Sequence, residues 1–241
     1  HYKPDMENPS IRKFKGYEGD MIPSEVTGAE RLKYDRSKPF TKDIEYFNNF
    51  VAEDRIDIPR AYVIPQGWWN VIELLKLNNI KMEAFKKDTT LYVQQYKIEN
   101  YETGNSAYEG HYMHSKTEVS VSMDSIRFRK GDYYVSTFQD GVRYLLEMLE
   151  PAAEDSFFNW NYFDTVLQQK EHFSPYVFED IAKELLAENP DLKAAFEEKK
   201  TSDPDFAKNW YAQLDWIHKH SKYYESAHLH YPIFRIPRKW I

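Results

Sequence analysis

The chain has 241 residues, 41% of them hydrophobic and 29% charged, with a net charge of −7, so it is long enough and apolar enough to bury a core. The absence of cysteine removes disulfides, thiolate metal sites and cysteine nucleophiles. The acidic balance argues against nucleic acid, since the best basic cluster, Arg235 to Lys239, offers only three positive charges, and no apolar run approaches the roughly 20 residues that cross a bilayer.

Residues 1–60 carry scattered Gly and Pro and short apolar runs, and read as an extended, linking segment packed on the core. Phe14 to Gly19 alternates weakly, as a strand with a bend would. Ile44 to Val51 suits either a short helix or a strand. The chain begins His1-Tyr2-Lys3-Pro4, without Met, a charged leader or an apolar stretch, which suggests a processed chain or a piece of a longer one.

Residues 61–154 read as an α/β sheet region. Ala61 to Ile64 is a short apolar strand closed by Pro65. Trp68, Val71, Ile72, Leu74, Leu75 and Leu77 then fall at helical spacing, and Asn78-Asn79 ends the helix because Asn tolerates the left-handed conformation. Ile80 to Phe85 and Thr90 to Ile98 alternate as strands. A polar loop, 99–116, separates them from Thr117 to Val121 and Ile126 to Phe128, read as strands paired across Met123-Asp124-Ser125. Lys130-Gly131-Asp132 turns into a strand at Tyr133 to Thr137, and Val142 to Leu149 has helical periodicity.

Residues 155–241 read as a helical region, forming one unit with 61–154. The stretch Arg143 to Asp180 holds nine aromatic residues, too dense for a surface loop. Ser174-Pro175, Asn189-Pro190 and Asp203-Pro204 each look like a helix start, with a capping oxygen followed by proline in the first turn, and Asp155 could cap similarly. Tyr231 to Ile236 suits a closing strand. The fold class is therefore α+β, a sheet from the central region with a helical layer from the C-terminal third.

Several groups bear on chemistry. Glu109, His111 and His114 could hold a metal as two imidazoles and a carboxylate, or be solvated and structural residues of a polar loop; in a strand, residues three apart point to opposite faces. His218, His220, His228 and His230 read as helix-end and surface histidines. Glu147, Glu150, Glu154, Asp155, Asp164, Glu171, Glu179 and Asp180 could supply paired carboxylates, though several suit helix caps and first turns. Trp68 and Trp69 are adjacent, so both cannot face the core of one helix; a buried Trp68 with Trp69 at a domain contact competes with a ligand-binding pair. No Gly-rich phosphate loop or nucleophile elbow occurs.

Five stretches have a further resemblance: Ser24–Phe40, Pro59–Ile80, Tyr108–Ser115, Gly131–Asp164 and Leu167–Leu186. Together they resemble the region that follows the peptidase domain in large bacterial proteins of the zinc carboxypeptidase family, the carboxypeptidase A-like metallopeptidases, many of Bacteroidetes type. That family binds zinc through His-x-x-Glu and a later His, with a downstream Glu as general base. None of the eight histidines here has Glu three positions on; His114 and Glu118 are four apart. No catalytic residue of the family can therefore be placed on this chain. The resemblance implies an exported, non-catalytic accessory region that supports a preceding peptidase domain or its substrate access. Zinc would belong to that domain, and this chain would need no cofactor. The alternatives are a glycan- or peptide-binding module using Trp68 and Trp69, and an independent metallohydrolase using His111 and His114.

Overall fold

The structure, a computed structural model, describes residues 2–53 and 55–238; Lys239 of the basic cluster lies outside them. Two compact units divide the chain, His1–Asp57 and Ile58–Ile241. In the first, β1 (Tyr2–Pro4) pairs with β4 (Phe50–Ala52), and β2 (Ser10–Pro23) pairs antiparallel with β3 (Glu30–Tyr46) as a long two-stranded ribbon. The bend expected near Tyr17 is a bulge: Tyr17 pairs with Pro39, whereas Gly19 pairs with Tyr34. The extra residues of β3 twist the ribbon there. Gly16 lies under the Phe40 ring, where a Cβ would come within 2.7 Å of it. Ile44–Tyr46 ends β3 and Phe50–Ala52 forms β4, so the Ile44 to Val51 stretch is extended rather than helical.

The second unit is α+β. Its elements are β5 (Ala61–Ile64), α1 (Trp69–Leu77), β6 (Glu83–Ala84), β7 (Thr89–Thr103), β8 (His114–Phe128), β9 (Tyr133–Ser136) and α2 (Val142–Leu149), followed by α3 (Pro175–Glu188), α4 (Pro190–Ser202), α5 (Pro204–Lys208), α6 (Trp210–Lys219) and β10 (Phe234–Ile236). Among the described residues the sheet runs β6-β9-β5-β10-β7-β8, with antiparallel neighbours throughout. The last strand thus enters the middle of the sheet. It pairs with β5, which is short and buried, and with β7, which extends with β8 as a long hairpin.

Three expectations need correction. Thr117 to Phe128 is one strand rather than two across Met123-Asp124-Ser125, because β7 supplies a continuous partner from Thr89 to Ile98. Only Glu83–Ala84 of the Ile80 to Phe85 run is strand, since β9 offers just Tyr133 and Tyr134 to pair with it. The helical region begins at Pro175, not 155: residues 151–163 form successive turns and Asp164–Val166 a single 3-10 turn. Those turns bury Phe157, Phe158 and Phe163 instead of presenting a helical stripe. Asp155 accordingly caps no helix and accepts a hydrogen bond from Trp160 Nε1.

The proline starts are where the sequence places them. Pro175, Pro190 and Pro204 each stand in the first turn of a separate helix, where the missing N–H has no intrahelical partner to lose. Asn189 Oδ1 accepts from Leu192 N and Asp203 Oδ1 from Phe206 N, both at 3.0 Å. Ser174 makes no such bond, so its capping role is not realised. Phe178, Ala182, Phe196, Phe206, Leu214 and Ile217 pack together as a core for these helices. A larger core joins Tyr62, Ile64, Val71, Ile72 and Leu75 to Leu145, Leu149, Phe157, Phe158 and Phe163.

Candidate functional site

The site with the most recognition chemistry is a surface groove along α1. Trp69, Asn70, Glu73, Leu74, Lys76, Leu77 and Tyr162 line it, with a volume of about 620 Å³. It follows from the geometry of α1. Val71, Ile72 and Leu75 turn into the core, one helical face apart from Trp69, Glu73 and Lys76. The adjacent tryptophans therefore part. Trp68 packs edge-on against Phe163, with ring centroids 4.8 Å apart, and anchors the start of the helix. Trp69 remains 69% exposed. Asn79, at φ 58, ends the run as the sequence suggests.

Tyr162 comes from the turn-rich segment 151–163, which is held rigidly in place. Asn159 donates to the carbonyls of Ala153 and Glu154, accepts through Oδ1 from the Thr117 hydroxyl, and accepts through its carbonyl from His114 N. Every one of those groups lies in β8 or the segment itself. Tyr162 also meets the ring of buried Phe157 edge-on at 5.1 Å.

A second group of rings adjoins Tyr162. The loop after β7 closes in a tight turn, Tyr108-Glu109-Gly110-His111, with φ 48 at Glu109 and 82 at Gly110. Positive φ at both central positions is the twist that a two-residue hairpin needs. Tyr108 and His111 are thereby cross-strand partners on one face. Both rings reach Trp160, at 6.2 and 5.4 Å, and His111 also stacks on Tyr162 at 6.3 Å and 17°. Tyr162, His111, Trp160 and Tyr108 so form a run of neighbouring rings, and Tyr162 shares the groove with Trp69.

The three residues considered for a metal are dispersed. Glu109 is exposed at the turn, His111 stacks on Tyr162, and His114 is buried at the start of β8. His114 Nδ1 lies 3.0 Å from Thr103 Oγ1, and Nε2 lies 3.0 Å from Asp164 Oδ1 and 3.2 Å from Asn161 Nδ2. Its ring nitrogens thus tie the hairpin stem to the 3-10 turn. Asn161 supports this contact from a left-handed backbone, φ 65, and donates to Tyr112 O. Among the described residues no group of three or more metal-ligating side chains is assembled.

Of the acidic residues of 147–180, three have partners that tie them to the fold. Glu147 pairs with Arg143, Asp164 with His114, and Glu150 is buried beneath the sheet. Glu150 Oε1 accepts from Tyr62 OH and lies 3.0 Å from Arg235 Nε, while Oε2 accepts from Tyr96 OH at 2.8 Å. Arg235 also donates to Gln94 Oε1 and lies over the Tyr96 ring. Burial is the main cause that pushes the phenols of Tyr62, Tyr96 and Tyr231 upward, with the Glu150 carboxylate adding to it. This cluster joins α2 to strands β5, β7 and β10 and secures the last strand in the sheet. Elsewhere, His218 is buried against Phe173 and Phe178, and His228 bonds Tyr224, while His220 stacks on Trp216 beyond the end of α6.

The chain is 28% identical to Carboxypeptidase 2 of Trichophyton rubrum over 99 residues, 41% of this chain and 18% of that protein. The link is to a carboxypeptidase. This chain spans less than a fifth of the length of the curated relative it matches. No family model matches the chain, and no solved structure does. No helix among the described residues is long and apolar enough to cross a membrane.

Proposed function

We propose that this chain is a non-catalytic accessory region of a zinc carboxypeptidase-like protein, preceded in the same polypeptide by the peptidase domain and exported with it. The reading rests on one observation: similarity to a carboxypeptidase in a chain whose eight histidines include no His-x-x-Glu. The zinc and the water-activating carboxylate would then reside in the peptidase domain. The test has two parts. The coding sequence upstream of His1 should encode His-x-x-Glu followed by a later His, and the purified chain should bind no stoichiometric zinc. One tightly held zinc per chain, lost on His111→Ala or His114→Ala, would replace this reading with an independent metallohydrolase.

A further inference from the structure

We infer that the groove between α1 and Tyr162 binds a neutral oligosaccharide, with sugar rings stacked on Trp69 and Tyr162. The inference does not depend on the carboxypeptidase reading, since it concerns only groups within the second unit.

Sugar rings have an apolar C–H face and a polar hydroxyl edge. A site for them needs a flat, exposed aromatic plate beside hydrogen-bonding side chains at the rim. Trp69 supplies such a plate, 69% exposed on a helix anchored by its partly buried neighbour Trp68. Tyr162, half-buried, adds a second ring to the same groove, with His111 stacked on it and Phe157 meeting it edge-on. Rigid aromatics lose little side-chain entropy on binding, which favours a weak, neutral ligand. At the rim, Asn70 offers an amide, while Glu73 and Lys76 form an ion pair at 2.8 Å. That pair places acceptor and donor next to each other without net charge. It therefore suits hydroxyl groups better than the charged ends or side chains of a peptide. Trp160 and Tyr108, reached through His111, continue the run of rings beyond Tyr162, as a linear chain of sugars would require.

The probes are neutral linear hexasaccharides of glucose, mannose and N-acetylglucosamine, titrated into the whole chain and followed by calorimetry and tryptophan fluorescence. A hexapeptide with a free C-terminal carboxylate serves as the competing ligand. Saturable binding of at least one oligosaccharide is expected, weakened about tenfold or more by Trp69→Ala and by Tyr162→Ala. Trp210→Ala, an exposed tryptophan on α6 outside the groove, should leave it unchanged. Thermal unfolding of Trp69→Ala should match the parent chain, because that side chain is not part of the core. Absence of saturable binding by every oligosaccharide up to about 10 mM would overturn the inference. So would binding that Trp69→Ala and Tyr162→Ala leave intact, or Trp69-dependent binding of the peptide alone.

Discussion

Single residues carry the most exacting parts of this molecule. Glu150 is the clearest: a buried carboxylate that two tyrosines and Arg235 hold between α2 and the sheet. Removing one member of a buried ion pair leaves the other desolvated, so Glu150→Ala should cost about 3–5 kcal/mol in urea denaturation, and Tyr96→Phe about 1 kcal/mol. A Glu150→Ala chain as stable as the parent would show that the pair contributes nothing. His218 makes a pH-dependent counterpart. Burial lowers its affinity for a proton, while Asp215 nearby opposes that and His172 and Lys219 reinforce it. A group whose folded pKa is depressed in this way stays neutral in the fold while the unfolded chain takes up a proton. Stability should therefore be highest above an unfolded value of about 6.5 and fall as pH drops through it toward the lower folded value. Replacing His218 with Phe should flatten that decline in denaturation midpoints between neutral and mildly acidic pH; an unchanged slope would assign it to other groups. Neither role was legible in the sequence. Glu150 is one acid among eight in its stretch, and only the return of β10 brings Arg235 to it, 85 positions later.

At the scale of the element, local chemistry decided most of what the sequence revealed. Three proline starts, the Asn79 terminator and the Val142 to Leu149 helix depend on neighbours within a few positions, and all are present. What misled was long-range pairing. Ile126 to Phe128 looks separate from Thr117 to Val121 because polar Asp124 interrupts the apolar alternation, yet Asp124 pairs with Val93 in an unbroken ladder. Likewise, aromatic density in 155–163 signalled burial correctly but not conformation, since turns anchored by Asn159 bury the rings without helical spacing. The Trp68 and Trp69 pair announced a split between core and surface, whereas Tyr162 joined the groove only through folding of that segment. The caps give a direct comparison. Asn189→Ala should cost about 1 kcal/mol, because a free N–H of α4 loses its acceptor, while Ser174→Ala should change stability by less than about 0.5 kcal/mol. Equal losses at the two positions in thermal or urea unfolding would mean that Ser174 caps α3 in solution.

For the whole molecule, the division at Asp57 separates a ribbon with little core from a unit with three buried clusters. Two strands cannot bury a face between them, and Ile11, Phe14, Met21, Leu32 and Tyr34 stay exposed on β2 and β3. The second unit keeps its own sheet, all three clusters and the Glu150 lock. A chain of residues 58–241 should accordingly unfold in one cooperative transition with a midpoint within a few degrees of the full chain. Loss of cooperativity would show that the ribbon completes the core. The most direct test measures release of C-terminal residues from peptides, in the presence of zinc, by the intact gene product and by residues 1–241 alone. The expected result is activity in the intact polypeptide and none in the isolated chain. Zinc-dependent release by residues 1–241, or an intact polypeptide without any, would contradict the assignment as a non-catalytic part of a carboxypeptidase-like protein.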